Sequence, residues 1–292
     1  MLFVPQFLRS LHIFLFTVSF VAKGDAKMMI RPFNAVWCIF MLLLISAVAF
    51  IYFLLHNSSE SKKKLFIVGL CVFNIVLFFA YKGALSVDRE FLAVSNIKKF
   101  NWFNELPLQL CNINMFLIPI GVLTNKRSIM GFSSFLAPLG ALMAFIFPEP
   151  AFVGYSLLLP RMIGYYFTHA FLFAGGLSLA TLGFYRPRFS DFSGITVTFV
   201  IVSMMAHGIN FLLRLSLCTY ANYFYTYGAD ISILNLFWKW IPIPYIYELP
   251  SLVIMFSYMG AITLVFRICE TRKQKNEVKM HCTQYEESAG KY

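Results

Sequence analysis

Cys111 and His169 stand in apolar sequence, and between them they can perform nucleophilic acyl chemistry. An imidazole takes the thiol proton, the thiolate attacks a carbonyl carbon, and the product is a thioester. A lone cysteine in such a stretch is also read as a small apolar filler, and Cys38, Cys71, Cys218 and Cys269 are read in that way. Polar residues crowd the neighbourhood of both candidates. Gln109, Asn112 and Asn114 flank Cys111, and Tyr165 and Tyr166 lie one turn before His169. Further along, Thr196, Ser203, His207, Asn210 and Arg214 fall at i, i+7, i+11, i+14 and i+18, which at about 100° per residue makes one narrow helical stripe. Such a stripe faces protein or water. It is either a site or a set of hydrogen bonds between helices, with Arg214 snorkelling to the interface.

The elements that must position these residues follow from composition. The 292 residues are 59% hydrophobic and 13% charged, where a soluble domain carries about 25% charged residues. Seven apolar runs read as spanning helices: about Ala35 to Leu55, Leu65 to Lys82, Leu106 to Leu123, Ile129 to Phe147, Met162 to Leu182, Phe192 to Arg214 and Leu249 to Ile268. The expected fold is an all-α membrane protein, a single bundle of about seven transmembrane helices over residues 35–269. The stretch Leu2 to Val21 is a poor signal peptide, with Pro5, Arg9 and His12 inside it. Within an N-terminal apolar or interfacial segment, residues 1–34, it reads as a weakly held additional helix. Residues 270–292 read as a charged, disordered tail.

Lys and Arg concentrate in alternate connections (Lys62, Lys63, Lys64, then Lys126 and Arg127, then Arg186 and Arg188, then the tail). This bias predicts a cytoplasmic C-terminal tail. On that topology Cys111, His169, His207 and Asn210 share one layer, within about 15 Å of the outer surface at 1.5 Å per residue, with Glu105, Arg161 and Glu248 just above it. The net charge of +11 comes from short clusters between apolar runs, so no nucleic-acid partner is expected. The six cysteines show no CxxC and no spacing with His that would hold zinc, and no metal or cofactor is expected. GxxxxGK[ST], HExxH and GxSxG are absent, and the segment from His169 to Ala174 lacks the Asp of a His-x4-Asp acyltransferase. The connection from Leu215 to Glu248 is rich in Tyr and Trp, from Tyr220 to Tyr247. It reads as an interfacial anchor or as a lid.

An ordered set of motifs resembles a known family. Leu106-Pro107-Leu108-Gln109-Leu110-Cys111-Asn112, then His169, Tyr185-Arg186-Pro187-Arg188, the helix with Asn210, Asn222-Tyr223-Phe224-Tyr225, and Pro242-Ile243-Pro244-Tyr245 ending in Glu248 occur in that order. The set is similar to that of the YwaF-like bacterial integral membrane proteins, relatives of the eukaryotic transmembrane protein 164 acyltransferases. Gln109 stands where the bacterial pattern commonly has His. The resemblance implies acyl transfer between phospholipids, with catalytic Cys111 and His169. Gln109, His207 and Asn210 would orient groups or stabilise an oxyanion, and the loop with Asn222 and Tyr223 would cover a lipid pocket. Membrane lipids are then the expected partners and a cell membrane the expected location. Two other readings of the same residues are a small-solute carrier routed along the Thr196 to Arg214 stripe, and a non-enzymatic scaffold.

Overall fold

A computed structural model describes the backbone of residues 28–229 and 232–289. The N-terminal stretch Leu2 to Val21 lies outside the described residues. Every one of the seven apolar runs forms a helix. The first, α1 (Ala35–Leu55), is capped by Asn34, whose side chain accepts the Trp37 N–H at 2.8 Å. It is followed by α2 (Glu60–Leu85) and a short α3 (Arg89–Val94), where Asp88 accepts the N–H groups of Glu90 and Phe91 at 3.0 Å each. Then come α4 (Leu110–Thr124), α5 (Arg127–Ile146), α6 (Pro160–Thr181), α7 (Phe192–Ser216), α8 (Ser232–Trp240) and α9 (Leu249–Ala289). Pro160 opens α6 where a missing N–H costs nothing. Two short strands, β1 (Met29–Ile30) and β2 (Tyr155–Ser156), pair antiparallel with Met29 opposite Ser156.

By length and composition five segments among the described residues can cross a membrane: α1, α2, α5, and residues 189–216 and 246–272, which contain α7 and the first part of α9. The other two expected spans differ for physical reasons. The third run does not start as a helix at Leu106. Pro107 disfavours helical geometry at the residue before it, and the Leu106 N–H goes instead to the Tyr223 hydroxyl at 2.8 Å. The helix starts at Leu110, so Cys111 sits in its first turn and not five residues in, and α4 has 15 residues. The fifth run, α6, is long enough, but it carries Arg161, Thr168, His169 and Ser178, and 15 of its 22 residues are buried. It is shielded by protein, not by its own apolarity.

Helix α6 is the hub. It packs on α1, α2, α4 and α5, while α7 packs on α5. Glycines let it approach so closely: an added Cβ at Gly164 would lie 2.1 Å from the Tyr81 Cβ of α2, and one at Gly176 would lie 2.6 Å from Pro138 of α5. Asn74 of α2 donates to the Thr168 carbonyl at 3.2 Å, a second tie between the same two helices. The core has two parts. One, around Phe78, Phe145, Phe152 and Tyr166, lies towards the end where α6 begins, and the other, around Phe132, Phe135, Leu179 and Tyr185, lies towards the end where α6 finishes. The tail from Glu270, expected to be irregular, continues α9 as helix to Ala289. It holds good helix formers and no Gly or Pro before Gly290, and extending an existing helix avoids the nucleation penalty.

Candidate functional site

Cys111 is the second residue of α4, and its backbone packs on Gly140 of α5, where an added Cβ would lie 3.2 Å from the Cys111 Cβ. Cys111 stands in the first turn of α4, where backbone N–H groups have no partner within the helix. Gly140 is six residues before the end of α5, about 9 Å into the bundle at 1.5 Å per residue. His169 is nine residues into α6, about 14 Å by the same measure. The two therefore lie at similar depth, on helices that pack directly against each other.

The histidine is held in one tautomer. His169 Nδ1 is 2.7 Å from the Tyr165 carbonyl. A carbonyl oxygen can only accept, so Nδ1 carries the proton and Nε2 keeps a lone pair. The ring is 5% exposed and rests against Tyr165, centroids 4.7 Å apart, and the edge of Phe145 at 6.2 Å. Tyr165 is fixed in turn, its ring stacked on Phe152 at 4.3 Å and its hydroxyl donating to the Ala144 carbonyl at 2.9 Å. Asn114 donates to the Leu110 carbonyl at 2.7 Å, but its own Oδ1, like that of Asn112, is buried with no hydrogen-bond partner. Orphaned buried acceptors are uncommon, and these two stand on the helix that carries Cys111.

Lys82, at the end of α2, was not singled out from sequence. Its ammonium forms an ion pair with Glu105, both side chains largely buried, and lies over the rings of Tyr81 at 4.9 Å and Phe78 at 5.5 Å. Helix α2, which carries Lys82, packs on both α4 and α6, the helices of Cys111 and His169. Above this layer Arg161, 2% exposed, joins Asp88 at 2.9 Å and Glu90 at 3.4 Å and stacks its guanidinium over Tyr155 at 4.2 Å. The signal that could have found Lys82 is its place at the end of an apolar run, on the same side as Glu105.

The remaining candidates form a second group, built around the aromatic connection. Asn210 donates to the Tyr223 carbonyl at 2.8 Å and the Thr226 hydroxyl at 2.9 Å, and accepts the Tyr223 N–H at 2.9 Å. Tyr223 donates its hydroxyl to the Phe103 carbonyl at 2.9 Å, and burial pushes this phenol well up from the usual tyrosine range, so it stays a donor. Asn222 ties its own turn, donating to Gly228 and accepting from Tyr227, at 2.9 Å each. Ser203 meets the Tyr245 hydroxyl at 3.0 Å, His207 stacks on Tyr227 at 4.7 Å, and Arg214 donates to the Ala221 carbonyl at 2.9 Å. The stripe of α7 is thus covered by the connection, and Thr196 bonds only within its own helix, to the Phe192 carbonyl at 2.8 Å. Gln109 links the two groups: it precedes α4, and its side-chain oxygen accepts the Phe224 N–H at 3.0 Å. Glu248, just before α9, has one buried carboxylate oxygen with no hydrogen-bond partner.

The TMEM164 family model matches residues 29–265. The chain belongs to the TMEM164 family. The matched region runs from β1 into α9, so both polar groups lie within the part shared with the TMEM164 family, and the tail from Glu270 lies outside it. Membership is compatible with the likeness to the YwaF-like proteins and fits a multi-pass membrane protein. No curated protein and no solved structure matches the chain.

Proposed function

We propose that this TMEM164-family protein is a membrane-embedded acyltransferase or acyl-remodelling enzyme working through a Cys111 thioester. The observation that carries the reading is the tautomer of His169. With Nδ1–H held by the Tyr165 carbonyl, Nε2 is the free base, in the same layer as a thiol placed on the open first turn of α4. His169 Nε2 takes the thiol proton, and the sulfur attacks the ester carbonyl of a donor lipid. The tetrahedral intermediate expels the lysolipid alkoxide, which receives the proton from His169, leaving the acyl group on sulfur. In the second half His169 takes the proton of an acceptor hydroxyl, that oxygen attacks the thioester, and the departing thiolate recovers the proton. The unpaired backbone N–H groups of the first turn of α4 supply donors for the charge that develops there, and α2, which carries Lys82, packs on both α4 and α6. Gln109, Asn210 and Tyr223 hold the aromatic connection over the neighbouring end of the bundle. The Lys and Arg bias supports a cytoplasmic tail and places the Cys111 end on the other side.

The test is covalent trapping. Purified protein in lipid is incubated with an alkyne-tagged acyl donor and the labelled residue is mapped by mass spectrometry. The expected result is hydroxylamine-sensitive acylation at Cys111, absent in Cys111→Ser and strongly reduced in His169→Ala. Acylation spread evenly over accessible cysteines, or unchanged in His169→Ala, would overturn the reading.

A further inference from the structure

Helices α1 and α6 make aromatic contacts towards the end of the bundle that carries Cys111. There Phe40 packs on Phe145 and Tyr166, at centroid distances of 5.5 and 5.4 Å, and the Trp37 indole donates to the Phe145 carbonyl at 2.9 Å. Towards the opposite end an open groove of about 290 Å³ lies between the two helices, lined by Val48 and Ala49 of α1 and by Phe173 and Leu177 of α6. At about 30 Å³ per water-sized group, the groove holds on the order of ten such groups, the size of a stretch of acyl chain. Its polar residues are Tyr52 and Thr181, both near the ends of their helices. Positive charge stands at that mouth. Lys63 donates to the carbonyl of Leu182, the residue after Thr181, at 3.3 Å, Lys62 beside it is exposed, and the His56 ring stacks on Tyr52 at 5.0 Å. The same end carries Lys126, Arg127, Arg186 and Arg188.

We propose that this groove binds an anionic phospholipid, one acyl chain lying between α1 and α6 and the phosphate resting at Lys62 and Lys63. The ligand is amphipathic because the site is: apolar walls at hydrocarbon depth, with the Lys63 ammonium at the end of α6 beyond them. The groove is lined by the last parts of α1 and α6, whereas Cys111 lies towards the end where α6 begins, so this site is independent of acyl transfer and stands whether or not that reaction occurs.

The full chain is placed in phosphatidylcholine nanodiscs with a trace of phosphatidylglycerol carrying a diazirine in its acyl chain, and the same diazirine chain on phosphatidylcholine is the comparison. After irradiation, crosslinks are mapped by mass spectrometry. The expected result is labelling of residues 45–52 and 173–181 at least fivefold stronger for the anionic probe, as about 1 kcal/mol per lysine near a charged headgroup gives. Lys62→Gln with Lys63→Gln brings the anionic probe down to the level of the neutral one. Ala49→Trp, a change at an exposed position, fills the groove and removes labelling of the α6 segment with both lysines intact. Equal labelling by the two headgroups, or labelling indifferent to Ala49→Trp, would overturn the proposal.

Discussion

Replacing Gly164 by Ala adds one methyl group, and the structure says where it goes: 2.1 Å from the Tyr81 Cβ and 2.2 Å from its Cγ. Ordinary contact begins near 3.4 Å, so α2 and α6 must part by about 1.3 Å at this crossing. The obstacle is the root of the tyrosine, which no rotamer change can move. Overpacking of a close core costs about 1–3 kcal/mol and more where backbone must shift, and we expect about 3 kcal/mol or more here. For a chain of this size that lowers the midpoint of thermal unfolding by about 6–12 °C. Separation at Gly164 also disturbs the site, because the residue after Tyr81 is Lys82 and His169 is five residues along α6. The assay is the apparent melting temperature in detergent, read as the monodisperse fraction surviving heating, with Gly69→Ala and Gly208→Ala as controls. Nothing lies within 4 Å of an added Cβ at those two glycines, and alanine is the better helix former by about 0.5–1 kcal/mol, so both controls melt at or slightly above the parent. Adding Tyr81→Ala to Gly164→Ala gives no rescue, because alanine keeps the offending Cβ. A Gly164→Ala protein melting within about 2 °C of the parent would refute the close packing of α2 on α6.

Three further outcomes follow from named contacts. Lys82→Met strands the Glu105 carboxylate in a largely buried place and costs about 3–5 kcal/mol, whereas Lys82→Met with Glu105→Leu costs less than the single change; additive losses in thermal midpoint would show that the two side chains are not paired. Asn210→Ala leaves the Tyr223 N–H and carbonyl without their partner at about 1–3 kcal/mol for each group left unsatisfied. It should expose the segment after Ala221 to limited proteolysis several-fold faster, and an unchanged cleavage rate would show that this clasp does not hold the connection. Gln109→Ala removes the acceptor of the Phe224 N–H at 3.0 Å and should loosen the same segment while leaving α4 folded. Gln109→Glu, which keeps an acceptor, should protect it, so equal protease sensitivity of the two variants would count against a hydrogen-bonded link.

What could be read from the sequence, and what could not, divides along the range of the interaction concerned. All seven apolar runs are helices because apolarity over about twenty residues is a local property, whereas the depth expected for Cys111 assumes a helix from Leu106 and the helix begins at Leu110. The start of α4 was missed by four residues although Pro107 marked it, because the apolar run continues through the proline. Periodicity found the stripe from Ser203 to Arg214 but not its cover, since the partners Tyr223, Thr226, Tyr227 and Tyr245 belong to an irregular segment with no period of its own.

The Lys82–Glu105 pair joins residues 23 apart across a turn and a short helix, and the Gly164–Tyr81 crossing joins residues 83 apart. No spacing rule connects either pair. In a membrane bundle these are the contacts that carry chemistry, because a charge or a close backbone approach at that depth persists only when a partner on another helix accommodates it. A polar residue in an apolar run therefore indicates from sequence that a partner exists. Here Lys82 pairs with Glu105 at the end of α2, the helix that packs on both the Cys111 and the His169 helices, so a test of any nucleophilic role for the thiol needs Lys82 in place as well as the histidine.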